Sequence, residues 1–271
     1  MGLAPSEDGL ALLEVGRWVK QKHHFIGRYL EAFTAAMREK WSEIHYVDLF
    51  AGAGFARNRD SAEVIAGSPI LAATTKYPFT QLHLIERDAK NFEALRSRLE
   101  RCCLLRSPQI IHGDTNERAS EVFDTIPSRR TLTVTFADPY GLHFDFDTAK
   151  IVASRRSNLI VLLADNMDAL RNWSAYYENN PDSSLDRFMG EPGWREDFRR
   201  TVGVDRAEVM RNRYQKQLET LGYEYFAFER IHNDQARDIY LLLYASRHKA
   251  GIKIWKGISS IDPSGQHRLG F

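Results

Sequence analysis

The chain has 271 residues, 43% of them hydrophobic, which is ample for one large domain with a sizeable core. Lysine and arginine number 37 against 36 aspartates and glutamates, and this formal charge of +1 argues against a histone-like or membrane-surface protein while leaving room for a local basic stripe. No apolar run approaches the ~18 residues that span a bilayer, and Met1–Gly9 lacks the basic start and apolar stretch of a signal peptide. The two cysteines, Cys102 and Cys103, are adjacent, with no CxxC pair, so free thiols in a reducing, cytoplasmic setting are expected.

Residues 1–16 read as a polar lead-in. Over 17–40, Trp18, Phe25, Ile26, Tyr29, Leu30, Phe33 and Met37 recur near a 3.6-residue rhythm and predict a helix, with His23, His24, Lys20, Lys22 and Arg28 forming a solvated basic face. Five short apolar runs follow: His45–Phe50, Gln81–Ile85, Gln109–His112, Thr131–Ala137 and Asn158–Ala164. Helical patterns separate them, the clearest over 88–102, and this alternation predicts a parallel sheet with helices on both faces. Gly67-Ser68-Pro69 reads as a helix start that also lies over the loop after the first strand. Residues 166–210, rich in aromatics and broken by Asn179-Asn180-Pro181 and Glu191-Pro192-Gly193, read as a helical insertion covering the open edge of the site. Tyr223–Ile231 and Ile239–Ser246, joined by the polar turn His232–Asp238, predict a terminal antiparallel hairpin. Five parallel strands closed by such a hairpin form a Rossmann-like, mostly parallel seven-stranded sheet, the layout of class I methyltransferases, here in a single α/β domain.

Ligands of such sheets bind beyond the carboxyl ends of the strands, where the acids of this chain gather. In Tyr46-Val-Asp48-Leu-Phe50-Ala-Gly52-Ala-Gly54, a strand runs into a glycine loop that lets backbone approach a ligand closely. In this layout the ligand expected is S-adenosylmethionine, with Asp48 orienting its amino group and Phe50, Gly52 and Gly54 lining the loop. Glu86, at the end of the second strand, is placed to accept ribose hydroxyls, Asp88 being the better helix cap. Asp114 either accepts from the adenine amine or caps the next helix. Asp138-Pro139-Tyr140-Gly141 ends the fourth strand; Asp138 and the Pro139 carbonyl are placed to hold an exocyclic amine with Tyr140 stacked on the acceptor ring, while the bland reading is a β-turn. In the segment that follows, Phe144 and Phe146 are expected inside and Asp147 at a helix cap; a metal-dependent nuclease built on His143, Asp145 and Asp147 is the weakest reading, and no metal is assigned. Late basic residues (Arg195 to Lys216, and Arg247 to Lys256 around Trp255) suit either phosphate contact and base stacking, in RNA or DNA, or an ordinary helix surface.

Two resemblances add to this. The order of Asp48-Leu-Phe-Ala-Gly-Ala-Gly54, Glu86, Asp114 and Asp138-Pro-Tyr-Gly141 resembles class I methyltransferases, and the fourth motif resembles the Asp-Pro-Pro-Tyr of enzymes that methylate nucleobase amines. It lacks their second proline and is closer to the Asp-Pro-Phe-Gly of tRNA guanine N2-methyltransferases. Across 8–260 the chain resembles the three-Cys-motif partner protein family, through Val15-Gly-Arg-Trp18, Lys22, Tyr29, Val47-Asp-Leu-Phe-Ala-Gly52, Gly67-Ser-Pro69, Asp138-Pro-Tyr-Gly141 and Tyr240-Leu-Leu-Leu-Tyr-Ala-Ser-Arg-His248. That resemblance implies a partnership with a three-cysteine iron–sulfur, radical-S-adenosylmethionine-like protein. It leaves two expectations open: a methyltransferase acting on a nucleobase amine, or a non-catalytic subunit.

Overall fold

Alternating apolar residues on five central strands face two ways, and that alternation builds the three layers of the molecule. The structure is a computed structural model that describes residues 8–102, 104–139, 141–201, 205–232 and 238–259. After β1 (Leu13–Val15) and α1 (Trp18–Met37) the chain forms β2 (Glu43–Asp48), β3 (Phe55–Asn58), β4 (Val64–Ala66), α2 (Ser68–Ala73), β5 (Gln81–Glu86), α3 (Ala89–Leu99) and β6 (Gln109–His112). Then come α4 (Thr115–Thr125), β7 (Thr131–Ala137), α5 (Phe146–Ala153) and β8 (Ser157–Leu163). Two π-helical turns, Asp165–Leu170 and Trp173–Tyr177, lead to α6 (Ser184–Met189), α7 (Trp194–Arg200), α8 (Asp205–Thr220), β9 (Tyr225–His232), β10 (Asp238–Ser246) and α9 (Lys249–Ser259).

The main sheet has seven strands in the order β6-β5-β2-β7-β8-β10-β9. The five strands β2 and β5 to β8 pair in parallel, and β10 runs antiparallel between β8 and β9. This mixed sheet, with its penultimate position taken by the last, reversed strand, is the class I methyltransferase fold. The crossovers step outward from β2 to β5 and β6, then reverse through β7 to β8, so the topological switch point lies at the carboxyl end of β2.

On β2 the side chain of Val47 joins one core and Tyr46 the other; on β8, Leu159, Val161 and Leu163 oppose Ile160 and Leu162. The first core is closed by α4, α5 and the helices after β8, with Trp173, Phe188, Trp194 and Phe198 buried in it. The second is closed by α1, α2, α3 and α9, where Tyr29 packs against Phe33 and Trp255. Among the described residues no helix is long and apolar enough to cross a membrane.

Several expectations are corrected. The lead-in is not merely polar: Leu13–Val15 pairs in parallel with β3, and β3 with β4, as a small second sheet. The helical stretch after the fifth strand runs on to Thr220 and packs into the first core. Trp173, Tyr177, Phe188, Trp194 and Phe198 fill the interior rather than cover the site, while Tyr176 is exposed. Strand ends shift by one or two residues, so Phe50 follows β2 and Glu86 belongs to β5. Asp145, not Asp147, occupies the cap position of α5; Asp147 is exposed and pairs with Lys150. Most of the hairpin turn, 233–237, lies outside the described residues.

Candidate functional site

A cavity of about 370 Å³ opens at the switch point, within the roughly 300–1,000 Å³ typical of small-molecule sites. Its floor is the segment after β2. Gly52 and Gly54 adopt φ of +66° and +84°, a region that costs an L side chain about 1–2 kcal/mol. The loop is held from three directions. The Gly52 N–H donates to Glu86 Oε2 at 2.6 Å, Gly67 donates to the Gly54 carbonyl at 2.8 Å, and the Thr115 hydroxyl donates to the Leu49 carbonyl. Gly67 is required there, since a Cβ would stand 2.9 Å from the Gly54 carbonyl oxygen.

Glu86 also accepts from Asp88 N at 2.7 Å. A carboxylate offers about four lone-pair sites, so each oxygen keeps one for a ligand. Asp88 caps α3 through Asn91 N, which leaves Glu86 free of that duty. Asp114 caps α4 through Asn116 N at 2.9 Å, one of the two readings given for it, and also lines the cavity, with Arg87 at 3.5 Å.

Asp48 lies under the loop with no solvent exposure. It accepts from Tyr46 Oη at 2.8 Å and from Phe50 N at 3.2 Å. Burial pushes its carboxyl up to about 6, against the pull of hydrogen bonds from Ser68 and Tyr46 and with the nearby Asp138 charge adding to the rise. It therefore fixes the loop's first turn from below, while Phe50 lines the cavity above.

Asp138 and Pro139 line the same cavity at the end of β7. Tyr140 lies outside the described residues. The Asp138 carboxylate is paired with the Lys22 ammonium from α1, 116 residues away in sequence. Lys22 is not part of a solvated face: its side chain is 8% exposed, against 20% for Asp138. Its neighbour His23 also lines the cavity, and burial together with the Lys22 charge holds its imidazole well below the usual histidine range. Behind the loop, Asp168 accepts from Leu142 N at 3.2 Å and from Tyr177 Oη at 2.7 Å, which ties Gly141 and its neighbours to the π-helical turns.

The opposite wall comes from β1 and the start of α1, through Leu13, Val15 and Trp18. Leu13 Cδ1 stands 2.9 Å from where a Cβ on Gly52 would be. The staple for this wall is Arg98 on α3, fully buried, which holds the Asp8 carboxylate at 2.8 and 3.0 Å and the carbonyls of Ala11 and Ala53 at 2.8 and 2.6 Å. One guanidinium thus ties the N-terminal segment to the glycine loop. Lys22 carried a legible signal, because it shares the inward stripe of Val19, Ile26 and Tyr29 at 3, 4 and 3 residues' spacing. Arg98 carried none.

The late basic residues are mostly used internally. Arg195 pairs with Asp186, Arg213 with Glu191 and Asp197, and Arg206 and Arg247 donate to backbone carbonyls. Trp255 is buried and stacked on Tyr244 at 4.8 Å, so it offers no face to a base. His143, Asp145 and Asp147 are also dispersed: Asp145 pairs with Arg187 and Asp147 with Lys150.

No protein-family model matches the chain. No curated protein matches its sequence. Solved structures do match it in three dimensions. A Legionella pneumophila protein of family-model DUF519 superposes with a TM-score of 0.54 at 11% identity, covering 87% of this chain and 90% of that one. The METTL16 MTase domain gives 0.47 at 11%, covering 90% and 76%. An O-methyltransferase from Bacillus cereus in complex with SAH gives 0.43 at 12%, covering 81% and 80%. At 11% identity the likeness to the Legionella pneumophila protein bears on fold alone; the strand order defines the fold by itself.

Proposed function

We propose that the chain is an S-adenosylmethionine-dependent methyltransferase whose acceptor is an exocyclic amine of a nucleobase. One observation carries this reading: the glycine loop with Glu86 and the Asp138-Pro139 strand end face a single cavity. The cavity suits the cofactor on chemical grounds. Glu86 keeps acceptor sites for two ribose hydroxyls, Asp114 stands further along the same rim, and the loop above Asp48 lines the cavity with two positive-φ glycines. When bound, the cofactor supplies an electrophilic methyl group on sulfonium sulfur. The remaining work belongs to the chain. Asp138 accepts an N–H of the acceptor amine and aims the nitrogen lone pair at the cofactor half of the cavity. With the cofactor supplying the methyl group, Asp138 would hold the amine N–H and take up its proton. Orientation and fixed charge provide the acceleration.

The test is transfer of tritiated methyl from S-adenosylmethionine to short single-stranded RNA and DNA, followed by nucleoside analysis. Label in an N-methylated base, lost in Asp138→Ala while S-adenosylhomocysteine still binds, is the expected result. Label in O-methyl ribose or in protein would overturn the assignment of acceptor. A second reading, a non-catalytic subunit of a three-cysteine iron–sulfur protein, draws on the Lys22–Asp138 ion pair, which already engages the acceptor carboxylate. Cofactor binding without transfer to any nucleic acid would favour it.

A further inference from the structure

The Lys22–Asp138 pair deserves a role of its own. Lysine is almost never fully buried unless paired, and burying an ion pair seldom stabilises a fold more than apolar packing of the same volume. An ion pair placed at the wall of a ligand cavity therefore invites a reading through the ligand. Among the described residues Asp138 is the hydrogen-bond partner of the Lys22 ammonium. An ammonium carries three donors and a carboxylate about four acceptor sites, so most of both remain for whatever enters. Both residues line the cavity, and α1 delivers Lys22 on its buried stripe, so the side chain has little freedom to swing away.

Resting on the methyltransferase reading above, we infer that Lys22 is a specificity-determining residue: its ammonium donates to the ring nitrogen beside the amine that Asp138 accepts. A donor and an acceptor in hydrogen-bond contact present the same pattern as a side-chain amide, the group that reads an amine and its neighbouring ring nitrogen together. The substrate class is then narrower than amines at large. It is an amino group on a ring carbon flanked by a ring nitrogen with a free lone pair, as in adenine, cytosine and guanine. Aliphatic amines and anilines lack the second group and would leave a buried ammonium facing carbon, at the cost of an unmet charged donor. His23, neutral beside Lys22, adds no competing positive charge at this wall.

The experiment uses the full chain, tritiated S-adenosylmethionine and the oligonucleotide methylated in the preceding test. The target base is replaced by its analogue with carbon at the flanking position: 1-deazaadenine, 3-deazacytosine or 3-deazaguanine. In the wild-type protein kcat/KM should fall about 10- to 100-fold, the worth of a hydrogen bond to a charged donor. In Lys22→Met the same replacement should cost less than about 2-fold, since the donor is already gone. In Lys22→Gln, which keeps a neutral donor, the penalty should drop to roughly 3- to 10-fold, and this variant carries the test if the methionine variant does not fold. S-adenosylhomocysteine binding by calorimetry checks that each variant retains its cavity. An equal deaza penalty in wild type and both variants, or none in wild type, overturns the role of Lys22 and leaves methylation standing. Intact cofactor binding with no nucleobase methylated overturns both.

Discussion

The two halves of the cavity are built in opposite ways. The cofactor half is made of backbone: Gly52 and Gly54, an N–H on Glu86, a carbonyl held by Gly67, all set within one strand–loop–strand neighbourhood. The acceptor half is made of side chains brought from far apart, with Lys22 on α1 against Asp138 after β7 and Asp168 propping the loop from behind. The cradle depends on glycines and holding groups at fixed local positions, whereas an ion pair between distant elements fails if either partner changes. The first half is thus expected to behave as a general cofactor holder and the second as the part that chooses the acceptor.

Breaking the acceptor half should have the largest effect. Asp138→Ala is expected to lower methyl transfer by roughly 10²-fold or more while leaving S-adenosylhomocysteine affinity within about twofold, which calorimetry and tritium transfer read separately. Next comes the cofactor half: Glu86→Ala removes an acceptor of charge-assisted hydrogen bonds and should weaken S-adenosylhomocysteine binding about 10- to 100-fold. Arg98→Met probes the staple that ties the N-terminal segment to the glycine loop. It leaves Asp8 without its buried cation and should cost about 3 kcal/mol of stability in urea unfolding, together with faster proteolysis of the N-terminal segment.

The most diagnostic effects lie in pH. His83 is buried on β5, bonded to His45 at 3.0 Å and to Gln109 at 2.7 Å. Burial pushes its imidazole down to about 4, and lowers His45 as well. Between pH 6.5 and about 4 the unfolded chain therefore binds more protons at His83, and stability present above that window is lost on acidification, by about 3 kcal/mol. Asp48 has the opposite sign. Its carboxyl is raised to about 6, so between pH 6 and 3.8 the folded chain binds more protons and gains stability as pH falls. In the wild type the two nearly offset. Asp48→Asn should unmask a steep loss of melting temperature on acidification, and His83→Gln should make that loss shallower, with His23 and His45 still contributing to it; parallel profiles in both variants would contradict this assignment.

This division also decides what the sequence made legible. The five central strands declare themselves by β-branched and apolar runs, and Gly52, Gly54 and Glu86 by their places at strand ends, because those features are local. Leu13–Val15 is three residues long and too short to show a period, so it reads as lead-in although it walls the cavity. The late arginines look like a basic stripe in sequence because their partners, such as Asp186 and Glu191 and the carbonyls of Ala153 and Leu221, are distant or belong to the backbone. Trp255 appears among lysines only because α9 is amphipathic and its apolar side faces Tyr29 and Tyr244. Lys22 is the instructive middle case, a charge sitting on an apolar stripe whose meaning appears only once Asp138 is opposite it.

The most direct measurement is calorimetric titration of the full chain with S-adenosylhomocysteine, repeated with Glu86→Ala. Micromolar binding in the wild type that is lost or weakened at least tenfold in the variant is the predicted result. No heat of binding at millimolar ligand in a folded wild-type protein would contradict a cofactor site at the carboxyl end of β2, and the methyltransferase reading would fall with it.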